Sequence, residues 1–458
     1  MIKPKPSPIP TARALALEIL AAAQRRGESV EDLLSGALKK HPSLPRVERA
    51  FLLELVQGVK RWEIRLDYLL AKLAPQPLKK MHPLVLQILR LAAYQLLYLD
   101  KVPARAVLSE AGNLAKSRGL APAQAGFINA VLRRLAAGDI PSLPDAAQDP
   151  ALALSVNHAH PLWLVRRWLA RYGYEETAAR LAANNRIPRL TIRVNTLKTD
   201  PERLIRRLAE EGAVAKPCPI SPVGLRLTAL ETAPTDLPSY REGLWLFQDE
   251  GAQLVTYLAA GALGQKIAEI GCGRGGKTTH LAELMGNQGL LLAVDYHRGR
   301  LQEARLNLRR WGASLSQLLL ADATRPLPIK EKSLDTVVVD APCSGLGILR
   351  RHPEIKTRLK EADLSTFPPR QLAMLEQAAG LLQPGGRLIY VTCTSEPEEN
   401  EEVIAAFLKT HPKFRLLTHS EPLPPAARVF LQPSGFFQTS SASAELDGFF
   451  AAVLARSR

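Results

Sequence analysis

Two of the chain's four cysteines stand where a thiol can react. Asp335-Thr336-Val337-Val338-Val339 reads as a buried strand that runs out into Asp340-Ala341-Pro342-Cys343-Ser344-Gly345. Fifty residues on, Gly386 to Val391 reads as another strand, ending in Thr392-Cys393-Thr394. Adjacent strands of a parallel sheet end side by side, so this reading sets two thiols and a carboxylate at one sheet edge. A thiolate is a strong nucleophile, and a carboxyl group beside it can hold or share a proton. Upstream, Glu269-Ile270-Gly271-Cys272-Gly273-Arg274-Gly275-Gly276-Lys277 lies between a strand and a helix. Glycines there let a ligand approach the backbone and leave the N–H groups of the helix start free. The next strand ends in Asp295, where a carboxylate accepts from a ribose diol, and the third in Asp322, where it meets an adenine amino group. Together these residues describe a nucleoside crevice at the switch point of a doubly wound sheet. Dinucleotides and S-adenosylmethionine both use such a crevice. The glycine spacing is neither the dinucleotide fingerprint nor a P-loop.

A thiol pair beside a nucleoside crevice suits one transfer in particular. C5 of cytosine is a poor nucleophile. A thiolate adding to C6 breaks the aromatic ring and gives C5 carbanion character, dividing one hard step into easier ones. Charge develops at N3 as the adduct forms, and Asp340 is the carboxyl group for that position. After methyl transfer the C5 proton must leave before the thiol is eliminated, and Cys343 is placed to assist.

The elements that position these residues follow from periodicity. Residues 11–138 carry apolar residues at helical spacing, with Pro and Gly in the gaps, and read as an all-α unit. A linker is expected over 141–160, because the stretch AAGDIPSLPDAAQDP (136–150) is polar and holds three prolines. Residues 161–250 read as a small α+β segment with a helix over 160–182 and strands at Leu190–Thr196, Gly224–Leu230 and Gly243–Gln248. From about 262 strands and helices alternate, which implies a parallel sheet covered on both faces, closed by an antiparallel strand in Gly448–Arg456. The net charge is +16, and residues 1–140 supply +11 of it, with 22 Lys and Arg against 11 Asp and Glu. Such an excess favours polyanions, and Arg61 and Arg65 on the helical unit are candidate RNA contacts. No CxxC pair or zinc-finger spacing occurs, so no metal site is expected. Neither a membrane span nor an apolar run after the basic MIKPKPSPIP is present, so a cytoplasmic protein is expected.

The motifs resemble a known family. DAPCSG followed by LGILRRHPEIK is similar to motif IV of the Sun/Fmu-type RNA cytosine-5 methyltransferases, and TCT followed by SEPEENEEVI to their motif VI. GGKTTH resembles motif I, and DGFFAAVLAR the closing strand. FLLELVQGVKRW and AGFINAVLRRL resemble the NusB-like RNA-binding fold, and the likeness covers almost the whole chain. It implies a NusB-like domain over 1–140, a pre-core domain over 161–250 and a class I Rossmann-like methyltransferase domain over 251–458. It also implies Cys393 as nucleophile, Cys343 as the release residue, and Lys277 facing the target base. S-adenosylmethionine would be the cofactor, lined by Gly271, Cys272, Gly273, Arg274, Gly275, Gly276, Lys277, Asp295, Arg300, Asp322 and Asp340. The partner would be small-subunit ribosomal RNA, and the protein a monomer. Glu269 and Arg274 depart from the family's usual Asp and Pro, and Cys272 lies one position later than its usual cysteine. Three other readings stay open: the same chemistry on transfer RNA, a non-catalytic RNA-binding or antitermination factor, and a nicotinamide oxidoreductase.

Overall fold

A computed structural model describes residues 10–260, 263–418 and 421–458, apart from the side chains of Arg26 and Ser443. The N-terminal residues 1–9, on which the reading of no secretory signal partly rests, lie outside them. The chain forms two compact units. One comprises residues 1–186 together with Leu349–Glu361; the other comprises Ile187–Ile348 and Ala362–Arg458.

The first unit is helical: α1 (Ala12–Arg26), α2 (Val30–Lys40), α3 (Arg46–Leu73), α4 (Pro83–Tyr98), α5 (Ala104–Ser117), α6 (Pro122–Ala136), α7 (Pro150–Asn157) and α8 (Leu162–Asn185). Thr11 caps α1 through its hydroxyl, and Gly27 ends it in the left-handed conformation at φ 64°. Apolar faces of α1 to α6 close one core around Leu52, Leu55, Leu66, Ile88 and Leu132. Gly58 lets α3 and α4 approach, since a Cβ there would lie 2.0 Å from the Tyr94 ring. Polar residues on these helices pair at the edge of the core: Arg90 grips Asp67 through two bonds of 2.7 and 2.6 Å.

Two expectations change here. Residues 150–157 are not linker but α7, capped by Asp149. Helix α8, expected over 160–182, forms and kinks at Gly173, whose φ is 74°. The sequence sets Arg61 on a solvated polar face, yet it is 6% exposed and donates through Nη2 to the Arg350 carbonyl at 2.9 Å. A guanidinium so held is no surface contact for a phosphate. Arg65 is half-buried, over the Trp62 ring and 3.4 Å from the Asn157 carbonyl.

The second unit contains two sheets. The smaller joins β1 (Leu190–Val194), β2 (Ala213–Pro217), β3 (Gly224–Leu230) and β4 (Trp245–Phe247), all antiparallel, in the order β2-β3-β1-β4. The larger holds β5 (Lys266–Ile270), β6 (Leu290–Asp295), β7 (Ser316–Leu320), β8 (Leu334–Asp340), β9 (Leu382–Thr392), β10 (Phe414–Leu416), β11 (Phe437–Gln438) and β12 (Phe450–Arg456). Its order is β10-β12-β9-β8-β5-β6-β7, and β11 also pairs with β12. Strands β5 to β9 are parallel, and β12 runs antiparallel beside β9. The core strands are apolar throughout because both faces are covered. Val338, Ile389 and Val391 face one layer; Val337, Val339, Leu388 and Tyr390 face the other. Among the described residues no helix is long and apolar enough to cross a membrane.

One buried cation fastens the small sheet to the large one. Arg193 on β1 is fully buried and donates to Glu283 Oε1 (3.1 Å), the Gly276 carbonyl (2.8 Å), Thr279 Oγ1 (2.7 Å) and Gln248. Its guanidinium lies over the Trp311 ring at 5.0 Å. Asn195 adds bonds to the Gly243 and Trp311 carbonyls at 2.7 and 2.9 Å. Removing one partner of a buried ion pair strands the other, so Arg193→Met should destabilise the second unit by about 3–5 kcal/mol in urea unfolding. A loss below about 1 kcal/mol, the scale of a surface pair, would show that this network does not join the sheets.

Candidate active site

The order of the large sheet reverses between β5 and β8, so the connections that leave their carboxyl ends run to opposite sides of a crevice. The glycine turn fills its floor. Gly271 has φ 85°, and a Cβ there would lie 2.2 Å from the Asp340 carbonyl oxygen, so glycine alone allows β5 and β8 to end this close together. Gly275 takes the left-handed conformation at φ 81° and caps the helix Gly276–Leu284. Asp295 at the end of β6 is buried, accepting the Gly273 N–H at 2.9 Å and the His297 N–H at 2.8 Å. It thus shapes the turn, and its remaining lone pairs are available to a ligand.

The other residues expected to line the cofactor divide into two groups. Cys272 is buried against Ala293 and Leu301, and burial together with Glu269, Asp295 and Asp340 pushes its thiol far up, so it packs and does not react. Arg274 turns its side chain to Glu303 at 2.6 Å, in the helix Arg298–Trp311, while the exposed Arg300 lies in that helix's first turn. Asp322 is exposed beyond β7; two bonds from Thr324, backbone and hydroxyl, hold its carboxyl below the ordinary range.

Strands β8 and β9 bring the reactive set together. They pair in parallel with Asp340 opposite Val391. Cys343 Sγ lies 3.2 Å from Cys393 Sγ and accepts the Cys393 N–H at 3.3 Å. Both are free thiols with partial exposure. Hydrogen bonding to Cys393 and burial raise the Cys343 thiol well above its ordinary range, so Cys343 keeps its proton. Asp340 Oδ2 accepts from Lys277 Nζ at 2.7 Å. Burial opposes charge on Lys277, but Asp340, Glu269 and Cys393 outweigh it and raise its pKa, so the ammonium persists. That ammonium sits 5.4 Å from the Phe449 ring centre.

Several residues that hold this arrangement were not singled out by sequence reasoning. Glu399 is fully buried; its Oε2 accepts the Ser344 N–H at 2.8 Å and Gln371 Nε2 at 3.1 Å, and its carbonyl accepts the Tyr390 hydroxyl at 2.6 Å. Ser344 Oγ meets Thr394 Oγ1 at 2.8 Å, and Asn400 bonds Thr392 Oγ1 and the Thr394 carbonyl. Gly347 donates to the Cys393 carbonyl at 2.9 Å and accepts from the Gly448 N–H at 2.8 Å. A Cβ on Gly347 would meet the Gly448 carbonyl at 2.1 Å. The acidic run after Cys393 was the available signal for Glu399, but nothing in its spacing told it from the four other glutamates of that run.

The crevice suits S-adenosylmethionine, a nucleoside with cationic groups. Left-handed glycines leave space that side chains would fill, the helix start presents N–H groups, and Glu269 Oε1 is buried with no hydrogen-bond partner among the described residues. Gly271–Gly276, Glu269, Asp295 and Asp322 are the residues that would hold it. Burial raises the Glu269 carboxyl to about 8, against the pull of Thr278 and Lys277. In the unfolded chain it titrates near the ordinary glutamate value of 4.5. The folded state therefore keeps a proton that the unfolded chain has lost between those values. Its stabilisation is complete below the lower value and is lost as pH rises through the upper. Between pH 5 and pH 9 the wild-type unit should lose on the order of 3 kcal/mol more stability than Glu269→Gln, read from urea midpoints at each pH. Parallel pH profiles would rule out a protonated Glu269.

Comparison with known proteins bears on all three parts of the chain. The family described as 16S rRNA methyltransferase RsmB/F matches residues 257–455. The NusB family matches residues 10–137, and the RsmF/B-like ferredoxin-like domain matches residues 160–231. A probable ribosomal RNA small subunit methyltransferase B from Synechocystis is 36% identical over 448 residues, covering 97% of this chain and 99% of the relative. Its counterpart in Bacillus subtilis is 34% identical, covering 96% and 97%. The crystal structure of PH0851 is similar over 98% of this chain and all of its own, at 27% identity and a TM-score of 0.82. A methyltransferase homolog protein from Pyrococcus horikoshii is similar at 27% identity and a TM-score of 0.57, over 67% of this chain and 99% of its own. With more than a third of its residues identical to such a relative along nearly the full length, and a crevice formed for the cofactor, the chain belongs to the RsmB/F family of S-adenosylmethionine-dependent methyltransferases.

Proposed function

We propose that the protein methylates C5 of a cytosine in small-subunit ribosomal RNA through a covalent adduct on Cys393. The observation that carries this reading is the pair of free thiols 3.2 Å apart beside the Lys277–Asp340 ion pair. The RNA class follows the names of the Synechocystis and Bacillus relatives. S-adenosylmethionine, when bound, supplies the methyl group.

The chain's own residues account for the remaining steps. The Cys393 thiolate adds to C6, and the C5–C6 π pair moves toward C5. The ammonium of Lys277, in electrostatic reach of Cys393, supports negative charge on sulfur, and with Asp340 it forms a proton-sharing pair for N3. Once C5 carries the methyl group, its proton must go to a base, the C5–C6 double bond must re-form, and the C6–S pair must return to Cys393. Cys343 holds its proton until then. It can hand that proton to the departing sulfur and, as thiolate, take the one from C5. The target base must be single-stranded or flipped from its helix to reach Cys393. Free thiols this close call for a reducing compartment, which fits the cytoplasm.

Cys393→Ala should abolish 5-methylcytosine formation, while Cys343→Ala should attack but stall, leaving an RNA–protein adduct that survives denaturing electrophoresis. Normal turnover by Cys393→Ala would sink the assignment. Bisulfite mapping of ribosomal and transfer RNA from a strain lacking the gene tests the substrate, and a lost signal confined to transfer RNA would overturn the ribosomal reading.

A further inference from the structure

The helix Arg298–Trp311 follows β6 and packs Leu301, Ala304, Leu308 and Trp311 inward. It carries five arginines against one glutamate, Glu303, and that glutamate is bound to Arg274. Arg298, Gln302, Arg305 and Arg309 recur at helical spacing, so they form one row beside the buried face. All four are exposed. Other surface arginines of this unit meet carboxylates: Arg207 pairs with Glu242, and Arg241 with Asp236. Among the described residues Arg298, Arg305 and Arg309 have no such partner. Helix stability does not explain the row. A cation in the first turn, as Arg298 is, opposes the helix dipole, and Arg305 and Arg309 repel each other one turn apart.

The row borders an open sheet edge. Strand β7 ends the order of the large sheet, so its outer edge offers backbone N–H groups to an acceptor. Gln317 and Leu320 on it are exposed. Between this helix and β7 lies a cavity of about 450 Å³, whose lining includes Arg305, Leu308, Arg309, Ser314, Ser316 and Leu318. The Ser316 hydroxyl is buried with no hydrogen-bond partner among the described residues. Two guanidinium groups, an unpaired hydroxyl and a lining without carboxylates make this cavity complementary to an anion. The row also starts beside the chemistry. Asp295 ends β6 at the cofactor crevice, and Arg298 lies three residues beyond it. From there to Arg309 the helix rises about 16 Å away from the crevice edge.

We propose that this row and cavity bind the phosphate backbone of the RNA strand that carries the target base, as that strand leaves the crevice along β7. The inference rests on the RNA substrate proposed above; the anion chemistry of the cavity does not. A guanidinium fork matches two phosphate oxygens, and a repeating anion satisfies a repeating cation. An acidic peptide shares the charge, but it brings no base to the crevice where the row begins. Arg61 and Arg65, the contacts expected from sequence, lie in the helical unit, whereas this row lies in the unit that carries the thiols.

The test compares the full chain with a variant carrying Arg298→Gln, Arg305→Gln and Arg309→Gln. A control removes as much exposed charge at the opposite edge of the large sheet, in and before β10, by Lys409→Gln, Lys413→Gln and Arg415→Gln. Binding of an unmodified transcript of small-subunit ribosomal RNA is read by filter retention, without cofactor, over a salt series. Near physiological salt the row variant should bind about tenfold more weakly, and its log–log salt slope should be shallower by about 2, the share of three single-strand phosphate contacts. The control should stay within about twofold of wild type, and both variants should keep the wild-type urea midpoint and S-adenosylmethionine affinity. Wild-type RNA affinity in the row variant overturns the proposal, as does an equal loss in the control. A row variant that binds RNA normally but self-associates in sedimentation makes the arginines a guard on the β7 edge, and the proposal fails. One that loses binding of a poly-glutamate peptide but not of RNA makes the site a protein contact, and the proposal fails again. Tight RNA binding by wild type without any 5-methylcytosine would count against the proposed reaction alone, because binding is read without turnover.

Discussion

Parallel pairing of β8 with β9 determines where every reactive group stands. Asp340 faces Val391 across that ladder, so the residues that follow each strand emerge at one height and from one edge. Three residues beyond Asp340 lies Cys343, and two beyond Val391 lies Cys393. A slip of the ladder would separate the sulfurs and turn apolar side chains toward the wrong layer. The core forbids it, because Val337 and Val339 pack on one face while Val338 packs on the other. The chemistry at the sheet edge therefore inherits its precision from hydrophobic packing in the middle of the sheet.

Charge at this edge is arranged so that each group supports the next. Lys277 stays ionised chiefly because Asp340, bonded to it at 2.7 Å, offsets the burial that opposes its charge, and Asp340 keeps a fixed donor. Glu269 is withdrawn from that competition by burial, which favours its neutral form. The two thiols are made unequal without any difference in residue type. Cys343 lies where its proton is shared with the neighbouring sulfur, and Cys393 lies within electrostatic reach of the ammonium. Roles that look interchangeable in a string of letters become distinct through a few ångströms of surroundings.

The sequence was legible where one element suffices to place a residue. Strand ends, the glycine turn and the cysteine pair follow from local pattern and from the rule that parallel strands finish together. It was less legible where a residue's neighbours come from far along the chain. Arg61 has the spacing of a solvated helix face, but its surroundings include Arg350, 289 positions away, and that contact buries it. Glu399 sits among similar glutamates, and only the folded loops pick it out. Strands β2 and β10 have little apolar pattern of their own: Ala213–Pro217 alternates buried and exposed over few residues, and β10 is three residues long. Arg274 and Arg300 were grouped with the cofactor by position in the turn and helix, whereas the Arg274 side chain is occupied by Glu303.

The crossing of Gly347 with Gly448 bears on when the protein becomes competent. Gly448 follows Cys393 by 55 residues, and the strand after it, β12, completes the pairing beside β9. A chain emerging from the ribosome has both thiols outside well before this crossing can form. Until then Gly347 lacks one of its two backbone partners, and the loop that carries Cys343 is held on one side only. Synthesis order thus separates the appearance of the two thiols from their alignment, so a partly made chain carries both sulfurs without the crossing that fixes them. The two glycines act as a latch that closes after the parts it secures.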